Sequence, residues 1–199
     1  MKKLYLDCDG VILDTINKSY EMIKDKDLKS EEDIRSFYRN LDWGELIILS
    51  GEIDDSISKI KKLSEFFDVE ILTHVNSENE SIVKINYFEE KLPGINVITV
   101  PKTIHKCDMV NPNGAILVDD FIPNLELWEE KGGISIKFSD SGKECDFITI
   151  SDLLELLNIN FDNKMKIKEW DKISFFFFSI ENISFFCYYI NSRRLADEF

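Results

Sequence analysis

A chain of 199 residues, 44% of them hydrophobic, can bury one sizeable core with a small accessory lobe. Its formal net charge of -14 and pI near 4.6 argue against a nucleic-acid polymer as partner, because that binding runs on clustered Lys and Arg. Four separated cysteines (Cys8, Cys107, Cys145, Cys187) with no C-x-x-C pair, and only two histidines, argue against a zinc site and for free thiols in a reducing cytoplasm.

In chain order, MKKLYLDCDG brings acids where the apolar stretch of a signal peptide would sit, so a soluble cytoplasmic protein is expected. Residues 4–6 read as a short strand ending in Asp7-Cys8-Asp9-Gly10. The stretch from there to the next strand, 69–72, is too long for one crossover and reads as consecutive amphipathic helices. Ile16, Tyr20 and Ile23 share a face of the first. Ser30 with Asp33 opens the second, with Ile34, Phe37, Tyr38 and Leu41 inside. Asp42 with Glu45 opens the third, with Trp43, Leu46 and Ile47. A fourth, near 55–67, presents Ile57, Ile60, Leu63 and Phe67 and returns the chain to the sheet.

Ser77-Glu78-Asn79-Glu80 is a capping box, followed by Ile82, Ile85 and Phe88 on one face and stopped by Pro93-Gly94. Strands follow at 97–100, 115–118, 134–138 and 147–150. A helix runs from Asn124 to Lys131, stopped by Gly132-Gly133, and Ser151 caps 152–157. Strands alternating with helices predict an α/β fold, a Rossmann-like parallel sheet with helices on both faces. Its core spans 1–14 and 52–158, and a small helical cap, 15–51, is inserted after the first strand like a lid. From 159 to 199 the chain becomes phenylalanine-rich, with Glu181 and Asn182 central to ISFFFFSIENISFFCYYI; those two polar residues speak against a membrane span. Two strands turning there, or an aromatic segment packing on the core or on a second subunit of a homo-oligomer, are the expectations.

A parallel sheet brings its strand ends to one edge, where ligands bind. Collected there are Asp7 and Asp9, then Thr73, then Lys102 or Lys106, then Asp119-Asp120 with Asn124 one helical turn on. Three carboxylates meeting at a point call for a divalent cation, and hard oxygen ligands select Mg2+. A phosphoryl group on that metal leaves oxygens for a Thr hydroxyl and a Lys ammonium. Asp7 could then attack phosphorus, and Asp9, on the same side of an extended strand, could protonate the leaving oxygen and later deprotonate water. Gly10 permits the sharp exit of the chain. Lys106 is preferred to Lys102 because KCDMV can open a helical turn pointing back at the site. His74 and His105 fill no required role, and Cys8 reads as buried filler.

In this order and context the residues resemble the haloacid dehalogenase superfamily. LYLDCDGVILDT is similar to its first signature, ILTHV to its second, the lysine after the third strand to its third, and ILVDDFIPNLELW to its acidic fourth. The resemblance implies Asp7 as nucleophile, Asp9 as acid/base, and Thr73 with Lys106 on phosphate. It implies magnesium held by Asp7, the backbone carbonyl of Asp9, and Asp120. Asp119 and Asn124 would stand behind these ligands and orient them, Asn124 occupying a place where many members carry a second acid.

The presence of Asp9 speaks against a true dehalogenase, which needs no proton donor. Lys18, Lys24, Lys26 and Lys29 lie in polar surroundings, which speaks against the Schiff-base lysine of a phosphonatase. The helical cap with the D-D fourth motif is similar to the cytosolic deoxyribonucleotidase group, which implies nucleoside 5'-monophosphates as substrates. Phe37, Tyr38 and Trp43 either offer stacking faces or form the core of the cap. The expectation is a Mg2+-dependent phosphomonoesterase acting on a small phosphorylated metabolite. A phosphatase or mutase on a sugar phosphate, and a non-catalytic protein of the same fold, are the alternatives.

Overall fold

The computed structural model describes residues 1–139 and 146–161. By its contacts the chain divides into two units, Met1–Asn158 and Ile159–Phe199. The first is described here; the phenylalanine-rich expectations lie outside the described residues.

Six strands form one sheet: β1 (Lys2–Leu6), β2 (Phe67–Val75), β3 (Asn96–Pro101), β4 (Ile116–Asp119), β5 (Ile134–Phe138) and β6 (Ile148–Ile150). Every pairing is parallel, in the order β3-β2-β1-β4-β5-β6. Strands of either parity are sealed, Leu4 and Leu6 pointing one way and Tyr5 the other, so both faces carry a covering layer. On the Tyr5 side, Leu72, Leu117 and Val100 pack with Cys107, Leu125 and Trp128. The Trp128 ring meets Tyr5 edge-on at 5.4 Å, and its indole N–H donates to the Ala115 carbonyl at 3.0 Å. A Cβ at residue 133 would lie 2.2 Å from that indole, which is why glycine stands there.

Before β2 come α1 (Thr15–Asp25), α2 (Glu31–Arg39), α3 (Trp43–Ser50) and α4 (Ser56–Leu63). The chain leaves and re-enters the sheet side by side: Leu13 and Glu52 form an antiparallel bridge, and Asp14 N–H donates to the Gly51 carbonyl at 3.2 Å. Ser30 and Asp42 cap α2 and α3 by accepting from the N–H of Asp33 and Glu45. Phe37, Leu41, Trp43 and Leu46 form a small core of the insertion's own. After β2 follow α5 (Glu78–Lys91), α6 (Lys106–Met109) and α7 (Ile122–Glu130), and after β6 a 3₁₀ turn, Leu153–Asn158.

Four local expectations need correction. The helix expected to reach Phe67 stops at Leu63, because Phe67 already pairs with Lys2 as the first residue of β2. Tyr20, expected on the buried face of α1, is 62% exposed, and Thr15 and Ser19 are the buried residues there. Ile82 is half exposed; the buried stripe of α5 is Glu80, Lys84 and Phe88. The last helix is 3₁₀, and the Asp152 carboxylate accepts from the Leu154 N–H in the capping role given to Ser151.

Candidate active site

The chain order of the sheet reverses between β1 and β4, and in such folds a crevice opens there beyond the carboxyl ends of the strands. Leu6 is level with Val118, and the Asp7 N–H donates to the Val118 carbonyl at 2.9 Å, so Asp7 and Asp119 leave adjacent strands together. Asp7, Asp119 and Asp120 each offer a carboxylate oxygen, and these oxygens lie within 4.8 Å of one another.

Lys106, 2% exposed, sits between two of these acids: its Nζ is 2.8 Å from Asp7 Oδ1 and 2.7 Å from Asp119 Oδ2. Asp119 is fully engaged, accepting from the Phe121 N–H at 2.8 Å on Oδ1 and from the Asn124 amide at 2.9 Å on Oδ2. Helix α7 begins at Ile122 with Pro123 in its first turn, which places Asn124 for this contact. On Asp7, Lys106 and the Cys8 N–H (2.7 Å) both use Oδ1, which leaves Oδ2 for metal or phosphorus. Asp120 turns its carboxylate toward Gly10: with φ at +75°, a Cβ there would come within 2.7 Å of Asp120 Oδ2. Lys137 holds the Asp120 backbone carbonyl from β5.

Burial pushes the Asp7 carboxyl up to about 7; Lys106 opposes this, and the charges of Asp119 and Asp9 add to it. Burial and the charge of Asp119 raise Asp120 to about 6. Crowded, desolvated oxygen donors of this kind fit a hard divalent cation, which would favour their charged forms.

Asp9 stands apart from this cluster. Thr15 donates to its Oδ1 and Lys84 to its Oδ2, each at 2.6 Å. Burial works against its charge, yet Lys84 and Thr15 hold it below the usual carboxylate range. Thr73 is fully buried, and its hydroxyl accepts from Lys84 at 3.2 Å. Lys84 was not foreseen from the sequence. A lysine four residues after Glu80 and four before Phe88 is on the buried stripe, but beside Val83 and Ile85 it reads as an ordinary solvated charge.

A cleft of about 580 Å³ opens over Asp7, Asp9 and Asp120. Tyr20, Tyr38 and Trp43 line it from the insertion, Phe121 and Lys102 from the sheet edge. Of the aromatics read from the sequence, Phe37 and Trp43 belong to the core of the insertion, with Tyr38 packed against it. The His74 ring is 3.0 Å from the Ile104 carbonyl, and with His105 it lines the cleft. Cys8 and Cys107 are free and buried.

No protein-family model and no curated protein matches the sequence. Solved structures do match. A haloacid dehalogenase-like hydrolase from Streptococcus pneumoniae superposes with a TM-score of 0.57 at 15% identity, over 79% of this chain and 97% of that one. YfnB of Bacillus subtilis, a HAD hydrolase crystallised with magnesium, gives 0.55 at 12% identity, over 79% and 97%. A HAD-superfamily hydrolase of Geobacter sulfurreducens gives 0.54 at 15% identity, over 79% and 98%. The fold is that of the haloacid dehalogenase hydrolases. At these identities the likeness is one of fold, and the deoxyribonucleotidase resemblance finds no support among these neighbours. Among the described residues no helix is long and apolar enough to cross a membrane.

Proposed function

We propose that this chain is a magnesium-dependent phosphomonoester hydrolase that works through an aspartyl-phosphate on Asp7. One observation carries the reading: Asp7, one of whose oxygens has no hydrogen-bond partner among the described residues, stands beside Asp120 and the Lys106–Asp119 pair and lines the same cleft as Asp9. Asp7 and Asp120 would hold the magnesium with the backbone carbonyl of Asp9, and the ion would supply charge neutralisation to the phosphoryl oxygens. Asp119, tied up by Lys106, Asn124 and the Phe121 N–H, keeps the cluster in register. Asp7 Oδ2 attacks phosphorus and the bond from phosphorus to the ester oxygen breaks. That oxygen takes a proton from Asp9, which Lys84 and Thr15 hold ionised in the free protein and which is protonated when the anionic phosphate ester binds beside it. Water then attacks the aspartyl-phosphate and gives its proton to Asp9, and phosphate leaves with the Asp7 carboxylate restored. We assign the phosphate to Thr73 and Lys106, which are buried behind the cleft rather than on its wall; Lys102 lines the cleft itself.

The substrate is a small phosphorylated metabolite. A cleft of about 580 Å³ is of the size that takes one. Its walls of Tyr20, Tyr38, Trp43 and Phe121 favour a leaving alcohol that carries a flat ring, such as the nucleoside released from its 5'-monophosphate. Two free buried thiols suit a reducing compartment, and we assign the protein to the cytoplasm. Hydrolysis of a panel of phosphorylated metabolites, with magnesium and with a chelator, tests the reading. Release of phosphate only with magnesium, and from nucleotides in preference to sugar phosphates, is expected. Turnover that persists under chelation overturns the metal, and a preference for sugar phosphates overturns the substrate class.

A further inference from the structure

Lys84 is fully buried, and the proposed reaction gives it no task. Its ammonium carries three protons, and four acceptors surround it. These are Asp9 Oδ2 at 2.6 Å, Glu80 Oε1 at 2.7 Å, the His74 carbonyl at 3.1 Å and Thr73 Oγ1 at 3.2 Å. The indole ring of Trp43, from α3, lies 5.3 Å from Nζ and shields it. A lysine needed only to neutralise Glu80 would be satisfied by the contact one turn away on its own helix. This one reaches across to the loop after β1 and to the tip of β2.

We infer that Lys84 is a positioning residue that fixes the orientation of Asp9 and the direction in which the Thr73 hydroxyl donates; the inference rests on the hydrolase reading above. Asp9 is held at both oxygens, by Thr15 on one and Lys84 on the other, so its carboxylate plane has little freedom. The Thr73 hydroxyl has one proton and takes the Lys84 proton on a lone pair, so its own must point away from Lys84. Among the described residues it meets only the His74 carbonyl, at a long 3.3 Å, a bond that a phosphoryl oxygen would outcompete. Glu80 completes the anchor: its second oxygen accepts from the backbone N–H and the amide of Asn76, at 2.7 and 3.0 Å, which stops Lys84 from drifting along the helix.

The test compares Lys84→Met with the double variant Lys84→Met, Glu80→Gln, in which Glu80, the buried acid of α5, is no longer left charged without its partner, so that the fold is spared. For each, kcat/KM, which reports steps up to phosphoryl transfer, is measured on an aryl and on an alkyl phosphate. An aryl oxide leaves without protonation and an alkoxide does not, so misplacing Asp9 should cost the alkyl ester about tenfold more than the aryl ester in both variants. A crystal structure of the double variant should show the Asp9 carboxylate turned away from Thr15. Recovery of wild-type rates in the double variant would mean that Lys84 only neutralises Glu80. Equal losses on the two esters, or an Asp9 that has not moved, would likewise overturn the inference. If the wild type hydrolyses neither ester, the hydrolase reading fails, and the crystal structure alone still decides whether Lys84 orients Asp9.

Discussion

Lys106 and Lys84 are both sealed from water and both hold an acid of the DCDG loop, but the fold employs them differently. Lys106 opens α6 and joins the acids that leave β1 and β4, so its partners are fixed by the register of two central strands. Lys84 lies in the middle of α5 and joins Asp9 to Glu80 of its own helix, under the Trp43 ring of the insertion. The Asp9 side chain is about a quarter exposed, whereas Asp119 has no exposure at all. The first knot compensates charge inside the sheet. The second ties the far end of the loop to elements outside it. Removing Lys106 strands two buried acids, whereas removing Lys84 strands one, Glu80, and releases Asp9, which water can reach.

The largest effect that could break this contrast is on turnover itself. Asp7→Asn should lower phosphate release by about 10⁴-fold or more, and activity within about tenfold of wild type would show that the Lys106 knot surrounds no nucleophile. Next in size is Lys106→Met, which leaves two buried carboxylates uncompensated and should cost about 3–5 kcal/mol in a urea titration. An equal loss for Lys84→Met would erase the distinction drawn here. Magnesium at about a hundred times its Kd should stabilise the protein by about 2.7 kcal/mol, seen as a higher thermal midpoint. Asp120→Asn should abolish that rise, while Lys84→Met should keep it. Gly10→Ala forces a side chain onto positive φ and against Asp120, at a cost of about 1–3 kcal/mol together with weaker magnesium binding by calorimetry. The smallest change is Trp43→Phe. Among the described residues the buried indole N–H has no hydrogen-bond partner, so losing it should move stability by less than about 1 kcal/mol, and a larger loss would show that the packing of the larger ring is what counts.

Much of this was legible in the residues. All six strands were located within a few residues, because each is a short apolar run bounded by a turn or cap. The N-caps at Ser30, Asp42 and Ser77 form as read, since a side-chain oxygen three residues before an N–H acts through local geometry alone, but the reciprocal half of the Ser77 capping box does not, because the Glu80 carboxylate accepts from Asn76 and Lys84 instead. Tyr20 and Ile82 misled because periodicity states that a face is apolar, not whether another element covers it. Neither is covered, and Tyr20 lines the cleft instead. Lys84 was invisible for the converse reason, since only the partners brought by distant segments make a buried lysine tolerable.

What the linear order of residues determined by itself is therefore the set of elements and the acids at their ends: a strand period of two and a short-range capping code need no knowledge of neighbours. Only the tertiary structure decided which charge meets which. It took the parallel register of β1 with β4 to set Asp7 beside Asp119, and the seating of α5 under α3 to bury Lys84 against Asp9. Ion pairing depends on distance and desolvation, and both arise only when segments far apart in the chain are packed together.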